Sequence, residues 1–314
     1  MPLTLIDSAH HIVLVAHEHP DADSLGSACA FYSHVLRYQK KVTLYCSTTV
    51  GDHNLLFLPW SDKIRHNFPD DADLVISFDC GHFKRLGIEY SGELINFDHH
   101  ISNEQYGTYN CIDATALSTT QILYGWFVAN GIKINGKMAN ALYAGLLDDT
   151  DCFSDPLCTS VVFEMAQALI GLGADHEQCV KWLFNSHSLA SMRLRGVMLS
   201  KMKIVHDGEV ALFEVDRSML DSTGALLRDC KTTLDEALSI KTVRVALLVV
   251  ELKQGGVKIS LRSDGSVNTA HILEEYGGGG HYSRSGARIA GIEMVEAVKK
   301  LLISITRELD ETQS

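Results

Sequence analysis

A histidine and two aspartates, His17, Asp21 and Asp23, fall within seven residues, directly after the apolar run 12–16. The pattern recurs. Asp79 follows the apolar run 74–78, the triplet Asp98, His99 and His100 follows 94–97, and Asp148, Asp149 and Asp151 follow 141–147. Carboxylates and imidazoles at the ends of apolar segments lose water on folding, and a bound cation or charged ligand offsets that loss. The donors are oxygen and imidazole nitrogen with no thiolate, a set that suits Mn²⁺ or Mg²⁺ better than structural zinc. Two such ions about 3.5–4 Å apart can hold a bridging hydroxide and clamp phosphoryl oxygens. Phosphoester hydrolysis is the reaction this set fits most directly.

Each cluster alone has a plainer explanation. Asp23 can cap a helix, Pro20 and Asp79 can make turns, and the triplet can be a polar loop. Their repetition at the ends of buried elements favours the metal. Two adjacent histidines cannot point the same way, so one of His99 and His100 is expected to ligate while the other faces the substrate. Asp98 can then orient an imidazole from behind. Gly26 leaves room near the metal or serves close helix packing. His34, His176 and the other histidines without clustered partners are assigned to surface or core roles.

The elements that must position these groups are legible as alternating patterns. Strands are expected at 12–16, 42–46, 74–78 and 94–97, and helices at 24–38, 119–130, 137–147, 159–172 and 176–185. That alternation predicts an α/β domain with a mostly parallel sheet over residues 1–185, its ligands beyond the carboxyl ends of the strands. A linker helix within 186–203 offers Leu189, Met192, Val197 and Leu199 for packing. A smaller α/β domain follows over 204–314, with strands at 210–215, 243–252 and 257–262 and a closing helix at 292–309. Glycine turns at Asp207-Gly208 and Gln254-Gly255-Gly256 join its strands, the second as a hairpin. Two lobes with a cleft are expected.

At 314 residues, 46% hydrophobic and 21% charged, the chain has the makings of two globular cores. The apolar run 245–250 is too short for a membrane span, and the first eleven residues lack the basic and apolar segments of a secretory signal. Eight cysteines without a Cys-x-x-Cys pair fit reduced thiols, hence a cytoplasmic location. The net charge of −12 resides in residues 1–185, with 10 Lys+Arg against 22 Asp+Glu, whereas residues 186–314 balance at 17 each. So acidic a lobe repels long nucleic acid but suits carboxylates neutralised by divalent cations.

In order, the chain carries His-x-x-Pro-Asp-x-Asp-x-x-Gly-Ser from His17 to Ser27, Asp79 after a strand, Asp-His-His at 98–100, Asp149-Thr150, and four glycines, 277–280, before His281. This series resembles the DHH phosphoesterase family with its associated C-terminal domain, over essentially the whole chain. Length and layout look most like the two-domain nanoRNase/pAp phosphatase branch, which includes enzymes acting on short oligonucleotides and on linear or cyclic dinucleotides. The resemblance implies two divalent ions, manganese first and magnesium second. His17, Asp21 and Asp79 would hold one, and Asp23, Asp79, His99 and Asp149 the other. Asp149 is chosen among the neighbouring acids because the family reads Asp-Thr-Gly-x-Phe there. His100 would face the scissile phosphate. Arg262 and His281 would hold the substrate end remote from the metals. Three positions depart from the family: Asp151 stands where glycine is usual, Arg284 where a small residue is expected, and His19 where asparagine is common.

Chemistry alone also marks the C-terminal lobe. Glycines 277–280, including Gly278, Gly279 and Gly280, read as a phosphate-cradling loop followed by Arg284 and Arg288, and the Arg262 fork suits bidentate phosphate binding. With the chemistry of the metal clusters, the resemblance implies Mn-dependent hydrolysis of short oligonucleotides or dinucleotides to 5′-mononucleotides, or of pAp to AMP, by attack of the bridging hydroxide. A cyclic-dinucleotide phosphodiesterase is the alternative, as is a sensor that binds nucleotides without hydrolysing them. Family II inorganic pyrophosphatases share the first lobe but carry basic residues in place of 277–281, and RecJ-like exonucleases are longer. Without an extended basic groove lined by aromatics, long nucleic acid is not an expected partner, nor is a membrane. A homodimer is compatible with the resemblance.

Overall fold

The segment His11–Ala16 is buried at every residue and forms a strand covered on both faces, β1. In this computed structural model, which describes residues 2–49, 53–230, 232–280 and 282–312, β1 lies within the first of two units that divide between Ser186 and His187. Its neighbours are β2 (Lys41–Tyr45), β3 (Leu74–Phe78), β4 (Glu93–Asp98) and β5 (Tyr109–Ile112), in the order β2-β1-β3-β4-β5 with every pair parallel. Parallel strands share one carboxyl edge. Because β1, β3 and β4 are adjacent, residues 17, 79 and 99 leave the sheet side by side.

The helices of this unit are α1 (Pro2–Ser8), α2 (Ala22–Val35), α3 (Thr119–Ala129), α4 (Gly136–Asp149), α5 (Ser160–Gly171) and α6 (His176–Leu183). One sheet face buries Leu14, Ile76 and Phe97 against Phe31 of α2, Phe127 of α3 and Leu142 of α4. The other buries Val13, Val15, Val75 and Leu94 beneath Leu86, Phe68, Tyr90 and Tyr106. Close approach of α2 and α4 is written into two glycines. A Cβ on Gly26 would meet the Ala141 carbonyl oxygen at 2.5 Å, and one on Gly145 would meet the Asp23 Cα at 2.9 Å. Gly26 therefore serves helix packing, which in turn sets how near α4 can bring its C-terminal acids to Asp23.

The second unit begins with α7 (Leu189–Lys201), followed by β6 (Lys203–Val205), β7 (Val210–Val215), α8 (Arg217–Thr223), α9 (Thr232–Leu238), β8 (Val245–Glu251), β9 (Val257–Ser263), α10 (Thr269–Glu274), β10 (Gly279–Gly280), β11 (Arg284–Ile289) and α11 (Met294–Thr312). Its mixed sheet runs β10-β11-β9-β8-β7-β6, with only β7 and β8 parallel. One face packs on α10 and α11 through Leu247, Ile259, Leu261, Leu273 and Leu301, the other on α7 and α9 through Phe213, Leu248, Leu194, Met198 and Leu234.

Several expectations need correction. Of the four side chains expected to pack from α7 only Val197 does so, beside Leu194 and Met198, which are fully within the second core, whereas Leu189, Met192 and Leu199 are exposed. Apolar residues occur all round this helix, so periodicity could not select its inner face. Strands β5, β6, β10 and β11 escaped notice for a related reason: β11 alternates exposed Arg284, Gly286 and Arg288 with small buried Ser285 and Ala287. Among the described residues no helix is long and apolar enough to cross a membrane.

Candidate metal centre

His17 and Asp79 each lie one residue beyond the end of a strand, and His99 follows the last residue of β4. Asp79 turns the chain with a left-handed backbone, φ 55°, a conformation aspartate tolerates better than most residues. Asp21 is the N-cap of α2, its Oδ1 accepting the Ser24 N–H at 3.0 Å, so Asp23 sits inside the first turn instead of at the cap. Asp149 is the last residue of α4.

Two groups of donors share one carboxylate. His17 Nε2 lies 3.4 Å from Asp79 Oδ2 and 3.7 Å from Asp21 Oδ2. On the other side, His99 Nε2 lies 3.4 Å from Asp79 Oδ1 and 3.4 Å from Asp149 Oδ2, and Asp23 joins His99 and Asp149 as a third potential ligand. Donors around a cation bound at about 2.1 Å stand roughly 3–4 Å apart, so both groups have the spacing of a coordination shell. Asp79 turns Oδ2 to His17 and Oδ1 to His99, and that Oδ1 also lies beside His100, which groups with Asp79 and His99 as further potential ligands.

The ring orientations are fixed from behind. A carbonyl can only accept, so His17 Nδ1 donates to Glu18 O at 2.9 Å and His99 Nδ1 to Ala116 O at 3.3 Å, which aims both Nε2 atoms at the carboxylates. His100 is held differently. Its Nδ1 donates to Asp98 Oδ1 at 2.7 Å, and Asp98 also accepts from the His99 N–H and from Asn103 Nδ2. That pairing takes His100 Nδ1 out of contention as a ligand although Asp79 is 3.5 Å away.

Charge is crowded here. Burial raises the Asp149 carboxyl well above its usual range, with Asp23 and Asp79 adding repulsion, and burial pushes Asp23 up to about 6. Asp79 is buried too, but the attraction of His17 and His99 outweighs that and holds its carboxyl below the ordinary range. Burial works against charge on His99 as well, yet Asp79 and Asp23 raise it to about 9. Asp149 Oδ2 is buried without a hydrogen-bond partner. An orphaned carboxylate oxygen facing an imidazole nitrogen fits a divalent cation between them.

Sequence reasoning missed the supporting residues. Asp148 caps α2, accepting the Ala22 N–H at 2.9 Å, and burial pushes its carboxyl up to about 7. Asp23 accepts the Thr119 and Thr120 N–H groups at 2.7 and 2.9 Å, docking the start of α3. Arg85 brings Nη2 within 3.2 Å of His17 Nδ1, a contact between two donors and not a hydrogen bond while Nδ1 gives its proton to Glu18 O. None of these carries a local spacing signal, since each partner is remote in sequence. Just past Asp149, residues Asp151, Cys152 and Phe153 are all left-handed, at φ 50°, 56° and 64°.

The second unit holds the other candidate residues. Arg262 on β9 and Arg284 on β11 are direct cross-strand partners. The glycine run differs from a loop of free donors: the Gly277 and Gly278 N–H groups close α10 by bonding Glu274 O and Leu273 O, and Gly279 and Gly280 pair with Gly286 and Ser285. The N–H groups of Gly277 and Gly278 are thereby spent within the fold, whereas Gly279 and Gly280 are exposed. His281 lies outside the described residues.

Residues 11–146 match the DHH family, N-terminal domain, and residues 221–308 match the DHHA1 domain. The chain is 26% identical to the bifunctional oligoribonuclease and PAP phosphatase NrnA of Thermus thermophilus, over 95% of this chain and 90% of that one. It is 25% identical to the protein of the same name from Bacillus subtilis, over 95% of both chains. An exopolyphosphatase-related protein from Bacteroides fragilis has the same fold, with a TM-score of 0.91 at 24% identity, covering 99% of this chain and 96% of that one.

Proposed function

The chain belongs to the DHH family, and from that premise we propose that it hydrolyses short oligonucleotides or dinucleotides to 5′-mononucleotides, and pAp to AMP, with two divalent cations, manganese before magnesium. The observation that carries the reading is the division of Asp79, with Oδ2 toward His17 and Oδ1 toward His99. In this proposal His17, Asp21 and Asp79 hold one ion, and Asp23, Asp79, His99 and Asp149 the other. Bound there, a pair of such ions supplies Lewis-acid polarisation of the phosphoryl oxygens and lowers the pKa of an attacking water.

The chain's own groups do the rest. His17 and His99 are locked by backbone carbonyls, which keeps their donor atoms aimed without rearrangement. Asp98 holds the Nδ1 proton of His100 and leaves Nε2 for the substrate, while its charge with that of Asp79 overcomes burial and raises the imidazole above its usual range. A cationic His100 stabilises charge gathering on the phosphoryl group or the departing oxygen. Arg262, Gly279, Gly280 and Arg284 are proposed to bind the non-reacting part of the nucleotide, together with His281. The acidic first lobe and the absence of net positive charge in the second favour short substrates. A cytoplasmic location belongs to the same proposal, supported by eight free cysteines.

The test is a substrate panel of pAp, a ribodinucleotide, a cyclic dinucleotide and a long single strand, each with Mn²⁺. AMP from pAp and mononucleotides from the dinucleotide are expected, with little action on the long strand. Unchanged rates in Asp79→Asn or His99→Ala would reject the assigned centre.

A further inference from the structure

A buried carboxylate that orients an imidazole must itself be held, and here the holder comes from the loop that follows the paired histidines. Asp98 is wholly buried, and its Oδ1 accepts both the His99 N–H and the His100 Nδ1 proton. Among the described residues its Oδ2 is met by Asn103 Nδ2 alone. The same Nδ2 lies 3.4 Å from Cys80 O, one residue past Asp79. On its other side, Asn103 Oδ1 accepts the Gln105 N–H at 2.6 Å. A backbone N–H can only donate, and a carboxylate or carbonyl can only accept, so these partners fix the amide orientation and commit both Nδ2 protons. The loop is docked along its length. Glu104 N–H bonds Gly81 O at 2.9 Å, and Tyr106 donates its hydroxyl proton to Cys80 O at 2.8 Å.

We propose that Asn103 is a positioning residue that ties Asp98 to the Cys80 carbonyl and so keeps the His100 ring in register with Asp79. The role rests on the reading of His100 as the imidazole that meets the phosphoryl group. Strands β3 and β4 deliver Asp79 and the paired histidines, and their ladder continues through the Asp79 N–H to Phe97 O at 2.9 Å. Asn103 extends that tie from the backbone to a functional side chain. Without it, a buried oxygen of Asp98 loses its donor, the carboxylate turns to find another, and the ring it holds turns with it.

The His100 Nδ1 proton gives a direct readout by nuclear magnetic resonance of the intact, Mg²⁺-loaded chain labelled at its histidine nitrogens. A slowly exchanging downfield ring signal is expected in the wild type, identified by its loss in His100→Phe. Asn103→Leu, close to asparagine in size, should speed its exchange by about tenfold or more. Tyr106→Phe, which removes a hydrogen bond from the same Cys80 carbonyl, should leave it unchanged. In the wild type both Asn103 Nδ2 protons should exchange far more slowly than those of a free side-chain amide, a measurement that needs no variant. With Mn²⁺ and pAp, Asn103→Leu is expected to lower kcat by about 10- to 100-fold, with KM and calorimetric Mn²⁺ affinity within about threefold of wild type. Added to Asp98→Asn it should cost no more than about threefold further, because both act through one carboxylate. An unchanged ring signal in Asn103→Leu, freely exchanging Asn103 amide protons in the wild type, or fully additive losses in the double variant would overturn the role. Absence of turnover in the wild type rejects the phosphoesterase alone, and the ring signal and amide exchange still decide the positioning.

Discussion

His99 Nε2 stands 3.4 Å from Asp149 Oδ2, with its own Nδ1 proton turned away to Ala116 O. Two electron-pair donors facing each other at that separation attract when a cation or proton lies between them. Asp149→Asn keeps the shape and removes the charge. Because losing even an outer-shell partner of a metal ligand costs 10–100-fold, this change is expected to lower kcat/KM by more than about a hundredfold. It should also shrink the thermal stabilisation by Mn²⁺, which at about a hundred times the Kd amounts to about 2.7 kcal/mol per site. Differential scanning fluorimetry across a manganese titration checks the second effect without reference to turnover.

Asp98 tests the division of labour between the paired histidines. Asp98→Asn leaves its neighbours in place but no longer holds the His100 Nδ1 proton by charge. The expected result is a 10- to 100-fold fall in kcat with KM nearly unchanged and Mn²⁺ affinity within a few-fold of wild type. A parallel collapse of metal affinity would show His100 to be a ligand instead.

The packing of α2 on α4 supports the centre mechanically. Gly26→Ala places a methyl 2.5 Å from Ala141 O and forces the helices apart. Overpacking of this kind costs about 1–3 kcal/mol, to be read as a lower urea midpoint for the N-terminal unit. Manganese affinity should fall as well, since Asp23 and Asp149 ride on the two helices.

His34 supplies a pH dependence separate from the metal cluster. It is buried on α2 with neither ring nitrogen hydrogen-bonded, among Phe31, Tyr38, Trp126 and Phe127, and burial lowers its pKa from 6.5 to about 4. The unfolded chain then binds the proton more readily than the folded one between pH 6.5 and 4, so stability falls as pH drops through that window. The shift amounts to about 2 kcal/mol at pH 5 and almost nothing at pH 7. Denaturation midpoints of His34→Phe, compared with wild type at each pH, should show the wild type losing that much more on acidification.

Much of the first unit was legible because one chemical pattern was repeated at the ends of buried runs. His17, Asp79 and His99 follow apolar segments that could only be interior strands, and parallel pairing carries them to one edge. Residues that act through remote partners were invisible. Asp148 reads as another acid beside Asp149 until Ala22 is seen against it, and Arg85 reads as a surface cation until it reaches His17. The second unit was harder. Gly279 and Gly280 look like a loop in sequence because glycine carries no strand signal, and only their pairing with Gly286 and Ser285 makes them an edge.

The left-handed run Asp151, Cys152 and Phe153 has an implication for how this chain can vary. Such backbone costs roughly 1–2 kcal/mol per residue away from glycine, so the corner behind Asp149 is held in tension by the rest of the fold. Glycine at 151 would slacken it and make the domain hardier, while allowing Asp149 to wander. Whatever keeps an aspartate at that corner trades durability for a steadier grip.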